Sequence, residues 1–572
     1  MNKEWIIKPE ADEQIINDLS ESLSVSKIIS NLLVQRGIKN FDDAKQFFRP
    51  ELSQLHDPFL IKDMGMAVGR LEIAIKNNEK ILVYGDYDVD GTTAVATVYS
   101  FFKKIHPNID YYIPDRYNEG YGISTKGIDY AVENNFSLII ALDCGIKAVE
   151  KIDYANDKNI DFIICDHHTP GDMLPEAVAV LDPKRNDCEY PFKELSGCGV
   201  GFKLIQAFAK NNRISDKEVF SYLDLVAVSI ASDIVPIIGE NRVLAFYGLK
   251  KLNHEPQIGL KSLIKISGLE KKEISITDVV FKIGPRINAA GRIDTGAKAV
   301  ELLIADDIKK ANNISNDIND DNNTRKDLDK TITQNALKMI EENEELKNKK
   351  TTVLYNSKWH KGVIGIVASR LIETYYRPTI VLTLSNGLIT GSARSVQGFN
   401  LYNAIEACKD LLENFGGHKF AAGLSLKPEN LKAFQNKFEQ VVSKQIEPNQ
   451  LIPKINIDAK IKFEDINNKL YRILKQFQPL GPGNMSPVFS TENVYDNGNG
   501  KKVGKNNEHL KLSLFEKGNR NKLIQGIAFR QANCINLIQK KQLFNVCYTI
   551  EENNYNGNTS LQIKVKDIKK NC

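Results

Sequence analysis

Residues 80–94 read KILVYGDYDVDGTTA, an unbroken apolar run that ends in three acids at alternate positions, Asp86, Asp88 and Asp90, followed by Gly91. An apolar run without polar alternation suits a strand covered on both faces. The rhythm continues outward from it. TTAVATVYSFFKKI reads as a helix, SLIIALD as a strand, AVEKIDYANDK as a helix and DFIICD as a strand. This βαβαβ order, from about residue 79 to 235, predicts an α/β core with a parallel sheet and flanking helices. LDLVAVSIASDIVPI fits either a further strand or a buried helix, since periodicity does not separate the two.

Carboxylates at the C-terminal end of a parallel strand face the crevice where such sheets bind ligands. Three acids at one tip repel one another, and nearby cations are the natural compensation. D-x-D-x-D-G also opens a calcium-binding EF-hand loop, but the required bidentate Glu would fall at Thr97, and the flank is a strand rather than a helix. Two further tips carry matching groups: Asp143 after SLIIAL, and Asp166, His167 and His168 after DFIIC. Carboxylates with imidazoles and no thiolate suit Mn²⁺ or Mg²⁺. Asp233, in SIASDIVP, is a fourth candidate acid.

Further along, residues 306–350 are polar with apolar residues at near-helical spacing, which predicts one long connecting helix. TTVLYN and PTIVLTL read as strands around a helix in GVIGIVASRLIETYY, and GSARSVQGFN and NFGGHKFAAGLSL as Gly-rich loops of a second α/β domain. Beyond about residue 453, KINIDAKI, HLKLSLF, LIQGIAFR, LFNVCYTI and SLQIKVKDI predict a small five-strand barrel. Lys511, Lys564 and Lys566 alternate there with apolar neighbours, placing charge on one sheet face.

At 572 residues the chain exceeds a single core. The expected multidomain division is an N-terminal segment packing on the core (1–50), a catalytic domain (51–305), the connecting helix (306–350), a smaller α/β domain (351–445) and the barrel (450–572). With 42% hydrophobic and 26% charged residues, and neither a membrane-length apolar run nor a secretory-type start, it is expected to be soluble and cytoplasmic. The eight cysteines form no CxxC pair and read as reduced, mostly buried thiols. The net charge of +4 hides an asymmetry: residues 451–572 hold 20 Lys and Arg against 10 Asp and Glu, as a polyanion-binding module requires.

Taken in order, Asp86-x-Asp88-x-Asp90-Gly91, Asp143-Cys-Gly, Asp166-His167-His168 and Ser-Asp233-Ile-Val-Pro resemble the DHH phosphoesterases. GPRINAAGRI, GSARS and FGGHKFAAG resemble its RecJ branch, with a DHHA1 domain and an OB-like barrel. The resemblance implies a pair of divalent ions, Mn²⁺ or Mg²⁺, held by Asp88, Asp90, Asp143, His167 and Asp233, with Asp143 bridging and Asp86 and Asp166 as supporting or occasional ligands. It implies that His168 contacts the scissile phosphate. It further implies that Arg286 and Asn288 hold DNA phosphates, and that Arg370, Ser392, Arg394 and His418 anchor the 5′ end. One departure is visible: Phe415 stands where the family loop often has a third glycine before the histidine.

The implied activity is 5′→3′ degradation of single-stranded DNA to 5′-mononucleotides by two-metal hydrolysis, in DNA repair and recombination. The chain would act as a monomer beside a single-strand-binding protein and a helicase. A small-substrate phosphodiesterase would share the metal site without needing a basic tail. A catalytically dead scaffold would have lost ligands, and every ligand position is filled.

Overall fold

The computed structural model describes residues 3–539, 542–555 and 557–571; Cys572 lies outside them. The other seven cysteines are free thiols, all but one buried. No described helix is long and apolar enough to cross a membrane. The chain forms two compact units, one of residues 57–233 and 248–453, the other of residues 3–56, 234–247 and 454–572.

The first unit is built on the expected parallel sheet. β1 (Ile81–Gly85) leads through α1 (Val89–Lys103) to β2 (Ile109–Tyr112), then come β3 (Leu138–Leu142), β4 (Asp161–Cys165) and β5 (Ala179–Leu181). Their order is β2-β1-β3-β4-β5, parallel throughout. Every residue of β1 and β3 is buried, as unbroken apolar runs demand. α2 (Gly197–Asn211) and α3 (Leu223–Ser232) pack against α1. α3 resolves the segment that periodicity left open: it is a buried helix.

Asp224, in the first turn of α3, is buried and accepts the Gln257 amide at 2.7 Å and the Leu225 amide at 3.1 Å. Burial raises its pKa to about 6, against about 3.9 in an unfolded chain. The folded state therefore holds this proton more tightly. The resulting stability is present below about pH 4 and is lost as the pH rises through 6, a change of about 3 kcal/mol. The stability difference between wild type and Asp224→Asn, followed from pH 4 to 7.5 by denaturant unfolding, should move by about that much; a flat difference would contradict it.

α4 (Gly284–Ile293) precedes the long helix α5 (Ile308–Glu341), capped by Asp307 accepting the Lys310 amide. α5 stops at Glu341 and a short helix, Glu344–Asn348, follows, so the expected single helix is broken near its end. The second sheet has β6 (Thr352–Tyr355), α6 (Ile364–Thr374), β7 (Thr379–Ser385), β8 (Leu388–Arg394), β9 (Asn414–His418) and β10 (Ala421–Leu426), in strand order β9-β10-β8-β7-β6. Of the two Gly-rich stretches read as loops, residues 414–426 are almost wholly paired strand and residues 391–394 of the other end a strand, while 395–400 remain a loop. Their glycines permit close packing: a Cβ on Gly391 would lie 2.4 Å from Leu382. Phe415 sits within β9 opposite Leu424 without loss of the turn. Only Gly417, at φ +140° with Ala421 O 2.4 Å from where a Cβ would stand, requires glycine there.

In the second unit, β11 (Phe489–Asp496), β12 (His509–Glu516), β13 (Asn519–Ala528), β14 (Phe544–Tyr555) and β15 (Asn558–Lys570) form a closed sheet, with short strands at Ala459–Lys460 and Lys501–Val503 and closure by β11–β12 pairing. The barrel stands with two corrections. KINIDAKI contributes only Ala459–Lys460; Lys454–Ile457 pairs with Glu4–Ile7 in a separate sheet. β11 was missed because a register shift between Thr491 and Val494 breaks its alternation. The N-terminal segment, expected on the catalytic core, shares the barrel's core: Leu19, Ile29 and Leu32 cluster with Phe463, Phe477 and Val546.

Candidate metal centre

β1 ends in Gly85, where a Cβ would meet Val95 at 2.3 Å, so the chain turns tightly into α1. Asp88 caps that helix, accepting the Gly91 amide at 3.1 Å, and Asp90 lies in its first turn. The acidic triplet is thus a strand-to-helix turn and not an EF-hand loop. Asp90 is held from outside its own helix: one oxygen accepts Gly197 N at 2.7 Å, the other Cys198 N at 2.8 Å and Ser229 Oγ at 2.6 Å. Those amides open α2, whose positive dipole end favours a carboxylate.

Asp143 follows β3 at φ +60° and packs so closely on α2 that a Cβ on Gly197 would lie 2.5 Å from its Oδ1. His167 Nε2 stands 3.2 Å from Asp143, 3.6 Å from Asp233 and 3.8 Å from Asp90, yet neither ring nitrogen makes a hydrogen bond. Burial pushes its pKa down and favours the neutral imidazole that metals bind. Donor atoms of Asp143, His167 and His168, and of Asp90, His167 and Asp233, gather within 4.8 Å in two groups sharing His167.

Asp166 is not in either group. It accepts the amides of His167 (2.7 Å), His168 (3.2 Å) and Ile146 (2.9 Å), and His168 Nδ1 at 2.7 Å. Burial alone would raise its pKa; the bonds from His168 and the amides hold it at about 2. It orients His168, whose Nε2 meets the Tyr121 hydroxyl at 3.1 Å. Asp88 also lies outside the two groups. Asp86 is fully buried and neither oxygen makes a hydrogen bond.

Burial first and mutual repulsion second raise the pKa values of Asp86, Asp88, Asp143 and Asp233, the last to about 8. A cluster of buried acids around an unbonded imidazole is costly without cations and well suited with them. The residues present therefore fit divalent ions, and the donor set of oxygens and imidazole fits Mn²⁺ or Mg²⁺ better than a thiolate-seeking metal.

Beside the acids lies a cationic seam in the same unit. Arg394 donates to Ser392 Oγ at 2.9 Å, and both approach Gly365 near the start of α6. Arg292 donates to Gly362 O at 2.8 Å, and the Tyr117 hydroxyl donates to Arg292 O. Burial, then repulsion from Arg116, Arg325 and Arg394, lowers the proton affinity of Arg292. The proton affinity of His418 is pushed down by burial, then by the charges of Arg394 and His168. Of the other expected contacts, Arg286 donates to Asn319 (3.2 Å) and Lys282 O (2.7 Å), Arg370 is engaged by Asp329 at 2.8 Å, and Asn288 is half-buried on α4.

A family model described as the N-terminal domain of the DHH family matches residues 80–230, the DHHA1 domain 348–444 and the RecJ OB domain 457–567. The single-stranded-DNA-specific exonuclease RecJ of Bacillus subtilis is 34% identical over 97% of this chain and 70% of that protein. The chain belongs to the RecJ family. The RecJ of Escherichia coli is 30% identical over 95% of each chain. A crystal structure of Thermus thermophilus RecJ in complex with Mn²⁺ superposes with a TM-score of 0.85 at 25% identity, covering 99% of this chain and 80% of that one. Beyond the RecJ motifs, reading of the sequence missed Gly197, Tyr121, Arg116 and Arg292. Arg292 was visible in GPRINAAGRI, but nothing in that stretch marks which of its two arginines reaches the seam.

Proposed function

We propose that this chain hydrolyses single-stranded DNA from its 5′ end, releasing 5′-mononucleotides in DNA repair and recombination. The observation that carries the reading is His167, with two unbonded buried nitrogens amid Asp90, Asp143 and Asp233, set beside an arginine seam. Asp88, Asp90, Asp143, His167 and Asp233 would hold the ions, with Asp86 adding negative charge around them. When bound, a pair of divalent ions supplies Lewis acidity and neutralises charge on the attacking and leaving oxygens.

The chain's own residues position the rest. Asp166 fixes the His168 tautomer with a proton on Nδ1, which leaves Nε2 for a phosphate oxygen or the Tyr121 hydroxyl. Arg292, Arg394 and Ser392 offer donors to a terminal phosphate, and the start of α6 adds its dipole. The Gly362 turn packs on Tyr117 and Arg292, and a site closed on that side would favour one strand over two. The same reading takes the chain as a monomeric cytoplasmic enzyme of 5′→3′ polarity, with a single-strand-binding protein and a helicase as partners.

The test is digestion of strands labelled at either end beside a blunt duplex, with Mn²⁺. Early release of the 5′ label from the single strand alone is expected; equal rates on the duplex would overturn the single-strand reading, and early 3′ release the polarity.

On the barrel, Lys511, Ile527 and Lys564 stand side by side across β12, β13 and β15, with Lys564 5.4 Å from the Phe529 ring. Replacing Lys511, Lys564 and Lys566 with Ser should weaken oligonucleotide binding and cut its salt slope by about 2, at roughly 0.7 per phosphate contact. An unchanged slope would remove the barrel from strand binding.

A further inference from the structure

The tip of β5 holds a cation for which the metal centre has no use. Asp166 N donates to Leu181 O at 3.0 Å, so Asp182 follows β5 level with Asp166, His167 and His168. Asp182 is fully buried; one oxygen accepts the Lys184 amide at 2.7 Å. On the other side of Lys184, Arg185 is buried and locked by Asp63, by Val180 O at 2.6 Å and by Asp187 at 2.7 Å. The backbone on both sides of Lys184 is thus pinned, and the fold, rather than any strong contact of its own, sets where this side chain starts.

The Lys184 side chain is 26% exposed, and its one ion-pair approach among the described residues is 3.9 Å to Glu194, itself 45% exposed. Its charge is felt by His167 and Asp233. A lysine placed to neutralise the acids would pair with them at hydrogen-bond distance, and one near divalent ions opposes their binding unless an anion stands between. The arginine seam lies at the β1 and β2 end of the tip row: Gly296 packs on Tyr87 and Ile113, and Tyr117 bonds Arg292. In the order β2-β1-β3-β4-β5, Lys184 is at the opposite end, about 14 Å from the β1 tip at the usual strand spacing. A strand anchored at the seam and laid across the acids runs toward it.

We propose that Lys184 is a substrate contact, its ammonium taking a phosphate oxygen of the DNA strand on the far side of the metal centre from the arginine seam. This rests on the reading of the chain as a single-strand nuclease.

The experiment compares wild type, Lys184→Met and Lys184→Arg on a 5′-phosphorylated oligothymidylate across a salt series, by equilibrium binding and by Mn²⁺-dependent cleavage, with Mn²⁺ affinity and thermal unfolding measured alongside. In Lys184→Met, kcat/KM should fall on the order of 10²-fold. The salt slope of binding should drop by about 0.7, with Mn²⁺ affinity and unfolding unchanged, and Lys184→Arg should recover most of the loss. A binding slope and kcat/KM equal to wild type would overturn the contact, as would a loss explained wholly by weaker Mn²⁺ binding. Absence of wild-type cleavage would instead overturn the nuclease reading, and the binding arm would still decide Lys184.

Discussion

Asp90→Ala is expected to lower metal-dependent cleavage by on the order of 10³-fold or more while leaving the protein folded. Asp90 is the residue at which three elements meet: it belongs to the first turn of α1, is bonded by the first amides of α2 and receives Ser229 Oγ from α3. It also stands 3.8 Å from His167 Nε2. Removing it takes away a donor of one of the two groups that could hold a metal ion and leaves two helix amides unpaired. The second effect costs about 1–3 kcal/mol of stability, and the first is read as loss of Mn²⁺ affinity by calorimetry. Asp90→Asn keeps part of the hydrogen bonding and should recover stability without activity. Near-normal cleavage in either variant would show that Asp90 only braces the helices.

Gly197→Ala should be nearly as damaging although Gly197 carries no functional group. A methyl there would lie 2.5 Å from Asp143 Cβ and Oδ1 and 2.7 Å from its Cγ, the whole of a short side chain rather than the tip of a long one. Asp143, at φ +60°, is itself held by the hydrogen bond that its N–H donates to Cys165 O at 2.9 Å, so the carboxylate must move instead. A displaced ligand typically costs 10- to 100-fold in metal affinity or activity, and the overpacking about 1–3 kcal/mol of stability. Cleavage titrated with Mn²⁺ should show a raised metal requirement. An unshifted titration would mean that Asp143 is not needed where the structure puts it.

β1, β3 and β4 and the acids after them were legible because each of these strands is an almost wholly buried apolar run that leads directly into an acid; β2, largely unburied, and β5, three residues long, carry no such run, and Asp233 follows a helix. Asp86, Asp88 and Asp90 illustrate the limit of that signal. Their spacing says that they share a turn, but only the fold shows that Asp90 accepts the first amides of α2, that one Asp88 oxygen caps α1 and that Asp86 is buried with neither oxygen hydrogen-bonded. Gly197 and Tyr121 were illegible because their partners, Asp143 and His168, are distant in sequence and nothing local marks the approach. β9 and β10 were read as loops because glycine is a turn signal in isolation and a packing device in a sheet. β11 was hidden by its bulge and by polar residues that pair within the barrel. The family resemblance pointed to Ser392, Arg394 and His418, which local patterns do not mark, yet passed over Arg292, the more buried arginine of its own motif.

The most direct measurement is release of mononucleotides from 5′-phosphorylated single-stranded DNA by the full-length protein, with Mn²⁺ and with EDTA, beside a cyclic dinucleotide. Rapid release with Mn²⁺, none with EDTA and none from the dinucleotide is the expected result. Cleavage of the dinucleotide alone, or release that persists in EDTA, would contradict a metal-dependent single-strand nuclease.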